Sequence, residues 1–111
     1  MKKILITLCL SILTIGCTKV EEVDLNKIIE NNNYIIVDVR TPEEYKEAHL
    51  IDAINIPYDQ IDENIDLDKD KTILVYCRSG NRSGIAYDIL EDLGFKVYDM
   101  GAFAEIDLPK E

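Results

Sequence analysis

The chain has 111 residues, with 22 Asp and Glu against 12 Lys and Arg, for a net charge of -10. That acidity disfavours nucleic acid and anionic lipid surfaces as partners, and its plain reading is a solvated surface. Three cysteines and one histidine give no metal-ligand spacing, and no phosphate-binding Gly-rich motif with Lys occurs, so neither a metal nor a nucleotide cofactor is expected.

The first element is a targeting signal. Lys2 and Lys3 precede an apolar stretch from Ile4 to Ile15, interrupted only by Thr7, Ser11 and Thr14. It falls short of the roughly 20 residues that span a bilayer. Gly16-Cys17 closes it with a small residue and a cysteine. Residues 1–16 therefore read as a bacterial lipoprotein signal peptide, Cys17 as the lipidated residue, and 17–23 as a short linker. An ordinary secretory signal cut nearby, leaving Cys17 a free thiol, and an uncleaved N-terminal anchor are the alternatives. Thr18 to Val23 reach about 20 Å at most. Two acyl chains on Cys17 would hold the domain to a bacterial membrane, in the extracytoplasmic cell envelope. Cleavage removes Cys9 and lipid blocks Cys17, so Cys77 becomes the one free thiol and no intramolecular disulfide can form.

Residues 24–111 read as one small domain. Asp24 caps a short helix over Leu25–Glu30, which Asn31-Asn32-Asn33 ends. Tyr34–Val37 is β-branched and apolar, the pattern of a buried strand. Thr41-Pro42-Glu43-Glu44 is a capping box with Pro in the first helical position, opening a helix to about Ala48. Ala53–Ile56 predicts a short strand that Pro57 stops. Tyr58–Ile65 predicts a short helix with Ile61 and Ile65 inward. Leu67–Lys71 is a charged turn, and Thr72–Tyr76 the central strand. Ser83–Leu93 is the longest helix, with Ile85, Ile89, Leu90 and Leu93 on its core face and Gly94 as its stop. Phe95–Tyr98 is a last strand, and Ala102–Ile106 a final helical turn. Strands alternating with helices predict an α/β domain with a mostly parallel sheet flanked by helices. Ligands bind such sheets beyond the strand C-termini, where Cys77 and Asp38-Arg40 both fall.

The run Cys77-Arg78-Ser79-Gly80-Asn81-Arg82-Ser83 sits between the central strand and the longest helix. Backbone N–H groups converge at such a point, and a helix N-terminus stabilises a thiolate. Arg78 and Arg82 add positive charge to an otherwise acidic chain, and Gly80 lets the loop turn tightly. The residues describe a nucleophilic-cysteine cradle for a small anionic or sulfur-bearing group. The competing reading of Cys77 is a buried structural cysteine, which the polar run after it disfavours.

Cys77 to Arg82 resembles the active-site loop of rhodanese-like sulfurtransferases. Val37-Asp38-Val39-Arg40-Thr41-Pro42-Glu43-Glu44-Tyr45 is similar to the Asp-x-Arg and helix-start motif of that family. His49-Leu50-Ile51-Asp52-Ala53-Ile54-Asn55-Ile56-Pro57 is similar to its His-Ile-x-Gly-Ala-x-Asn-Ile-Pro motif, and Met100-Gly101-Ala102-Phe103 to its late Gly-Gly turn. The resemblance spans Val23 to Pro109 and implies a single rhodanese-like domain.

It also implies a function. Sulfur would pass from a small donor, thiosulfate or a persulfide, through a Cys77 persulfide to a thiol or cyanide, with no cofactor. Residues 78–83 would form the binding loop and Arg82 would brace it, with Asp38 either its acidic partner or a strand-end cap. Arg40 either braces the loop or forms a surface salt bridge, and Arg78 either contacts an anionic donor or points to solvent. His49 is structural, because the family needs no histidine base. A monomer is expected. Related phosphatases and arsenate reductases have a loop one residue longer, so that chemistry ranks below a persulfide carrier and activity on a simple aryl phosphate would revive it; an inert lipoprotein scaffold ranks last. Three departures bear on stability and on the wall of the site: Asp52 where Gly is usual, Ala102 for the second Gly, and Ile106 where an aromatic is common.

Overall fold

The computed structural model describes residues 24–111. The expected signal peptide, Cys17 and the expected 17–23 linker lie outside the described residues. No helix among the described residues is long and apolar enough to cross a membrane.

Helix α1, Leu25–Asn31, is capped by the Asp24 side chain and ends at Asn32 in the left-handed conformation. Strand β1 is Tyr34–Asp38, helix α2 Pro42–Glu47 and strand β2 Ile54–Asn55. Strand β3 is Thr72–Cys77, helix α3 Asn81–Asp92 and strand β4 Lys96–Ala102. Short 3-10 turns cover Tyr58–Gln60 and Phe103–Glu105. The sheet runs β2-β1-β3-β4 with every pair parallel, so the expected α/β architecture is present.

Strand alternation divides the core in two. Val37, Val39, Ile73, Val75 and Cys77 point to one face, where Ala86 and Leu90 of α3 cover them with Ile61 and Phe95. Ile36, Leu74 and Tyr76 point to the other, against Leu50, Ala53 and Ile106, with Leu25, Ile28, Ile29 and Tyr45 packed around them. Cys77 and Tyr76 therefore sit side by side in sequence and on opposite faces of the sheet.

Three elements differ from the sequence reading. Tyr58–Ile65 is no helix beyond its 3-10 turn, because Asp62 Oδ1 accepts from Asn64 N–H at 2.9 Å and this local turn competes with helical bonding. Ile61 is nonetheless buried, and Ile65 packs on the same cluster. Leu90 is buried and Ile89 and Leu93 pack on the core as expected, but Ile85 is 42% exposed and Ser83 and Ala86 are the other buried positions of α3. Small residues at 83 and 86 seat the helix on the sheet where bulkier ones would hold it off. Finally, β4 runs four residues past Tyr98 to Ala102. Val75 pairs with Asp99 but Tyr76 with Gly101, so Met100 is an extra residue, and Gly101 takes φ +84° beside it.

Asp52 occupies the position where the resembled family usually carries Gly. It has φ +73°, a conformation that Asp tolerates better than most side chains. The chain end is tied to the segment after α2: His49 and Glu111 exchange backbone hydrogen bonds of 2.9 and 2.8 Å.

Candidate active site

The cradle follows from how β3 meets α3. Gly80, at φ +99°, precedes the helix and carries no capping side chain. The free N–H groups of the first turn need another acceptor, and the sulfur of Cys77 supplies it. Gly80 N–H donates to Cys77 Sγ at 2.9 Å and Ser83 N–H at 3.2 Å. The Cys77 thiol thus takes the place that Ser or Asp fills at other helix starts. Burial alone would push the thiol up. The Ser83 hydroxyl and the N–H groups of Ser83, Gly80 and Ser79 outweigh it and lower the pKa. The resting Ser83 hydroxyl donates to Gly80 C=O at 3.2 Å, so its contact with sulfur requires its single proton to turn.

The rest of the loop divides by exposure. Arg78, Ser79 and Asn81 face solvent, Asn81 N–H reaching Ser79 Oγ at 3.4 Å. Ser83 is fully buried. Arg82 is half-buried and forms a two-pronged pair with Glu44 of α2, Nη1–Oε1 2.8 Å and Nη2–Oε2 3.1 Å. Arg82 holds Glu44 down to about 2, well below the usual carboxylate range, and Glu44 in turn raises Arg82.

That pairing corrects the expected partner of Arg82. Asp38 is engaged elsewhere, with Arg40: Nε–Oδ1 is 2.9 Å and Nη2–Oδ2 2.7 Å. Arg40 is 5% exposed, so it forms no surface salt bridge. Its guanidinium donates to Ala48 C=O at 2.6 Å and lies 4.6 Å from the centre of the Phe103 ring. Tyr76 OH donates to Asp38 Oδ2 at 2.8 Å and accepts from Leu50 N–H at 3.0 Å. Among the described residues no buried side-chain nitrogen or oxygen lacks a hydrogen-bond partner.

Two residues of this arrangement escaped the sequence reading. Glu44 is the capping residue for Thr41, whose N–H it accepts at 3.0 Å, and its pairing with Arg82 uses the same carboxylate. Tyr76 reads as one more apolar strand position, and only its register partner Asp38 reveals the hydroxyl's use. His49 stacks on Tyr45 with ring centres 3.8 Å apart, and Nδ1 lies 2.7 Å from Tyr45 C=O, remote from Cys77 in the hydrogen-bond network. Beside the loop, Arg40, Glu44, Glu47, Arg78 and Phe103 line a cavity of about 290 Å³. No group of three or more His, Cys, Asp or Glu placed to hold a metal occurs among the described residues.

Comparison with known proteins bears on this geometry. The model of the rhodanese-like domain family matches residues 21–105. The thiosulfate sulfurtransferase PspE of Escherichia coli (strain K12) is 41% identical over 78 residues, covering 67% of this chain and 75% of that protein. The adenylyltransferase and sulfurtransferase uba4 of Ogataea parapolymorpha is 34% identical over 80 residues, which are 70% of this chain but only 21% of that longer protein. Among solved structures, a rhodanese with anions from E. coli matches with a TM-score of 0.66 and 39% identity, covering 70% of this chain and 96% of that one.

Proposed function

This chain belongs to the rhodanese-like domain family, and from that premise we propose a sulfurtransferase that moves one sulfur atom through a persulfide on Cys77. The observation that carries the proposal is the cradle: two backbone N–H groups within 3.2 Å of a buried sulfur whose pKa is lowered. The Cys77 thiolate attacks the outer sulfur of thiosulfate. A Cys77–S bond forms, the sulfur–sulfur bond of the donor breaks, and sulfite leaves with the electron pair. The outer sulfur of the persulfide then carries the negative charge, and the N–H groups of residues 79–83 stabilise it as they stabilise the thiolate. A thiol or cyanide removes that sulfur and returns Cys77 as thiolate. The cycle is covalent and needs no cofactor.

In this reading Arg82, braced by Glu44, keeps the first turn of α3 in place under Cys77. Asp38 and Arg40 support the loop from the far face of the sheet. Arg78, exposed at the cavity mouth, meets the incoming donor. The protein acts as a monomer, without nucleic acid. Residues 1–16 direct it to the extracytoplasmic envelope and Cys17 anchors it to a bacterial membrane. That placement is supported by the charged, apolar and Gly16-Cys17 segments of the sequence, all of which precede the family match at residue 21.

The test is intact mass before and after incubation with thiosulfate. One added sulfur atom, localised to Cys77 and removed by cyanide, is expected, and Cys77→Ser should show neither the gain nor any turnover. Retained transfer in that variant would end the proposal. Stable loading that no small acceptor discharges would redirect it to a carrier serving a protein partner.

A further inference from the structure

The cavity beside the loop holds one charge, Glu47, that the persulfide cycle does not use. Two of its lining charges are already matched. Arg40 is paired with Asp38, and Glu44 with Arg82. Two are not: Arg78 and Glu47 are both exposed, and neither forms a salt bridge among the described residues. The fold gives no reason for a carboxylate at Glu47. It is the last residue of α2, where the helix dipole presents its negative end and favours a cation. Phe103 adds an apolar wall between these charges and the core. At about 290 Å³ the cavity sits at the small end of small-molecule sites, which run from roughly 300 to 1,000 Å³, so its occupant is of amino-acid size.

We propose that this cavity selects a zwitterionic thiol, an amino acid bearing sulfur, whose carboxylate meets Arg78 and whose ammonium meets Glu47. The inference rests on the sulfurtransferase reading and names its acceptor. A neutral thiol gains from neither charge. A dianion such as thiosulfate is attracted by Arg78 and repelled by Glu47, so the second residue discriminates between substrates and does not simply draw in anions. In the transfer, the acceptor sulfur attacks the outer sulfur of the Cys77 persulfide. The new sulfur–sulfur bond forms as the bond to Cys77 breaks, Cys77 keeps the electron pair as thiolate, and the thiol proton stays with the product persulfide.

The test has two arms, both on the full chain. In the first, iodoacetamide alkylation of Cys77, localised by mass, is slowed by S-methyl-L-cysteine, which cannot accept sulfur. N-acetyl-S-methylcysteine keeps only the carboxylate and 2-(methylthio)ethylamine only the ammonium, and each should protect less well. Glu47→Gln removes the advantage of the zwitterion over the carboxylate compound, and Arg78→Gln its advantage over the amine, by roughly two- to fivefold each, as exposed charge pairs allow. Equal protection by all three compounds, absence of protection, or indifference to both substitutions overturns the inference. In the second arm, persulfide-loaded protein is discharged by L-cysteine or 3-mercaptopropionate. Glu47→Gln should slow cysteine selectively and quicken loading from thiosulfate. Normal loading with charge-blind discharge defeats this inference alone. Failure to load from any donor defeats the sulfurtransferase reading, while the alkylation arm still decides what the cavity binds.

Discussion

Two arginine–carboxylate pairs flank the last residues of β3, and they are built differently. Arg40–Asp38 packs beside Tyr76 with side-chain exposures of 6% and 0%, while Arg82–Glu44 joins the start of α3 to α2 at 26% and 23%. The first is enclosed by Tyr76, Phe103 and the Ala48 carbonyl, and each of its buried side-chain polar atoms has a partner. The second meets water, and its carboxylate also caps α2. A buried ion pair is costly to break because the survivor is left uncompensated. A half-exposed one is cheap to break, so its value lies in where it holds the loop. One pair therefore carries stability and the other geometry.

Removing each member in turn tests that division, beginning with the largest effect. Asp38→Ala leaves the Arg40 guanidinium buried without its carboxylate and the Tyr76 hydroxyl without its acceptor. It should cost about 3–5 kcal/mol in urea unfolding. Tyr76→Phe deletes one hydroxyl and orphans the Leu50 N–H, for about 1–3 kcal/mol, with the alkylation rate of Cys77 unchanged in the folded protein. If Tyr76→Phe slowed alkylation as much as it destabilised the fold, the roles of the two pairs would not be separable.

Glu44→Gln should reverse the pattern. It costs about 1 kcal/mol of stability but lowers sulfur transfer roughly tenfold or more, because Arg82 and the first turn of α3 lose their brace. The same pair has a pH signature. Glu44 is depressed in the folded state, so its stabilisation is complete above its ordinary value of 4.5 and is lost as pH falls toward about 2. Unfolding followed from pH 5 to 2 should show that loss in the wild type and less of it in Glu44→Gln. The smallest effect is at Ser83. Cys77 should alkylate with a midpoint below that of an ordinary thiol, and Ser83→Ala should move the midpoint up while the N–H donors keep it from returning fully.

The sequence made the Cys77 loop easy to read and the two ion pairs hard. Cys, Gly and two Arg between an apolar run and a helix carry their chemistry in their residue types, and the Thr41-Pro42-Glu44 capping box is present as expected, its Thr41 Oγ accepting from Glu44 N–H at 3.2 Å. Glu44 hid behind that box: a local explanation for a carboxylate conceals a distant partner 38 positions away. Asp38 looked like the natural partner of Arg82 because both end in the same rim, but Arg40, two residues on, reaches it first. On the core face of α3, Ile89, Leu90 and Leu93 are legible from spacing, but apolar size points to Ile85 where close packing favours Ser83 and Ala86. In each case the missing information was tertiary distance, which spacing along one chain does not carry.

The cradle around Cys77 also has a history in time. Its donors come from residues 79–83, and they converge on sulfur only once β3 has joined the sheet and α3 has docked on it. Parallel pairing closes long loops before it is rewarded, so these contacts form late in folding. Until then the thiol has the pKa of any cysteine in an extended chain. The lowered pKa is therefore acquired on completion of the fold, and the pH midpoint of alkylation distinguishes native from unfolded protein.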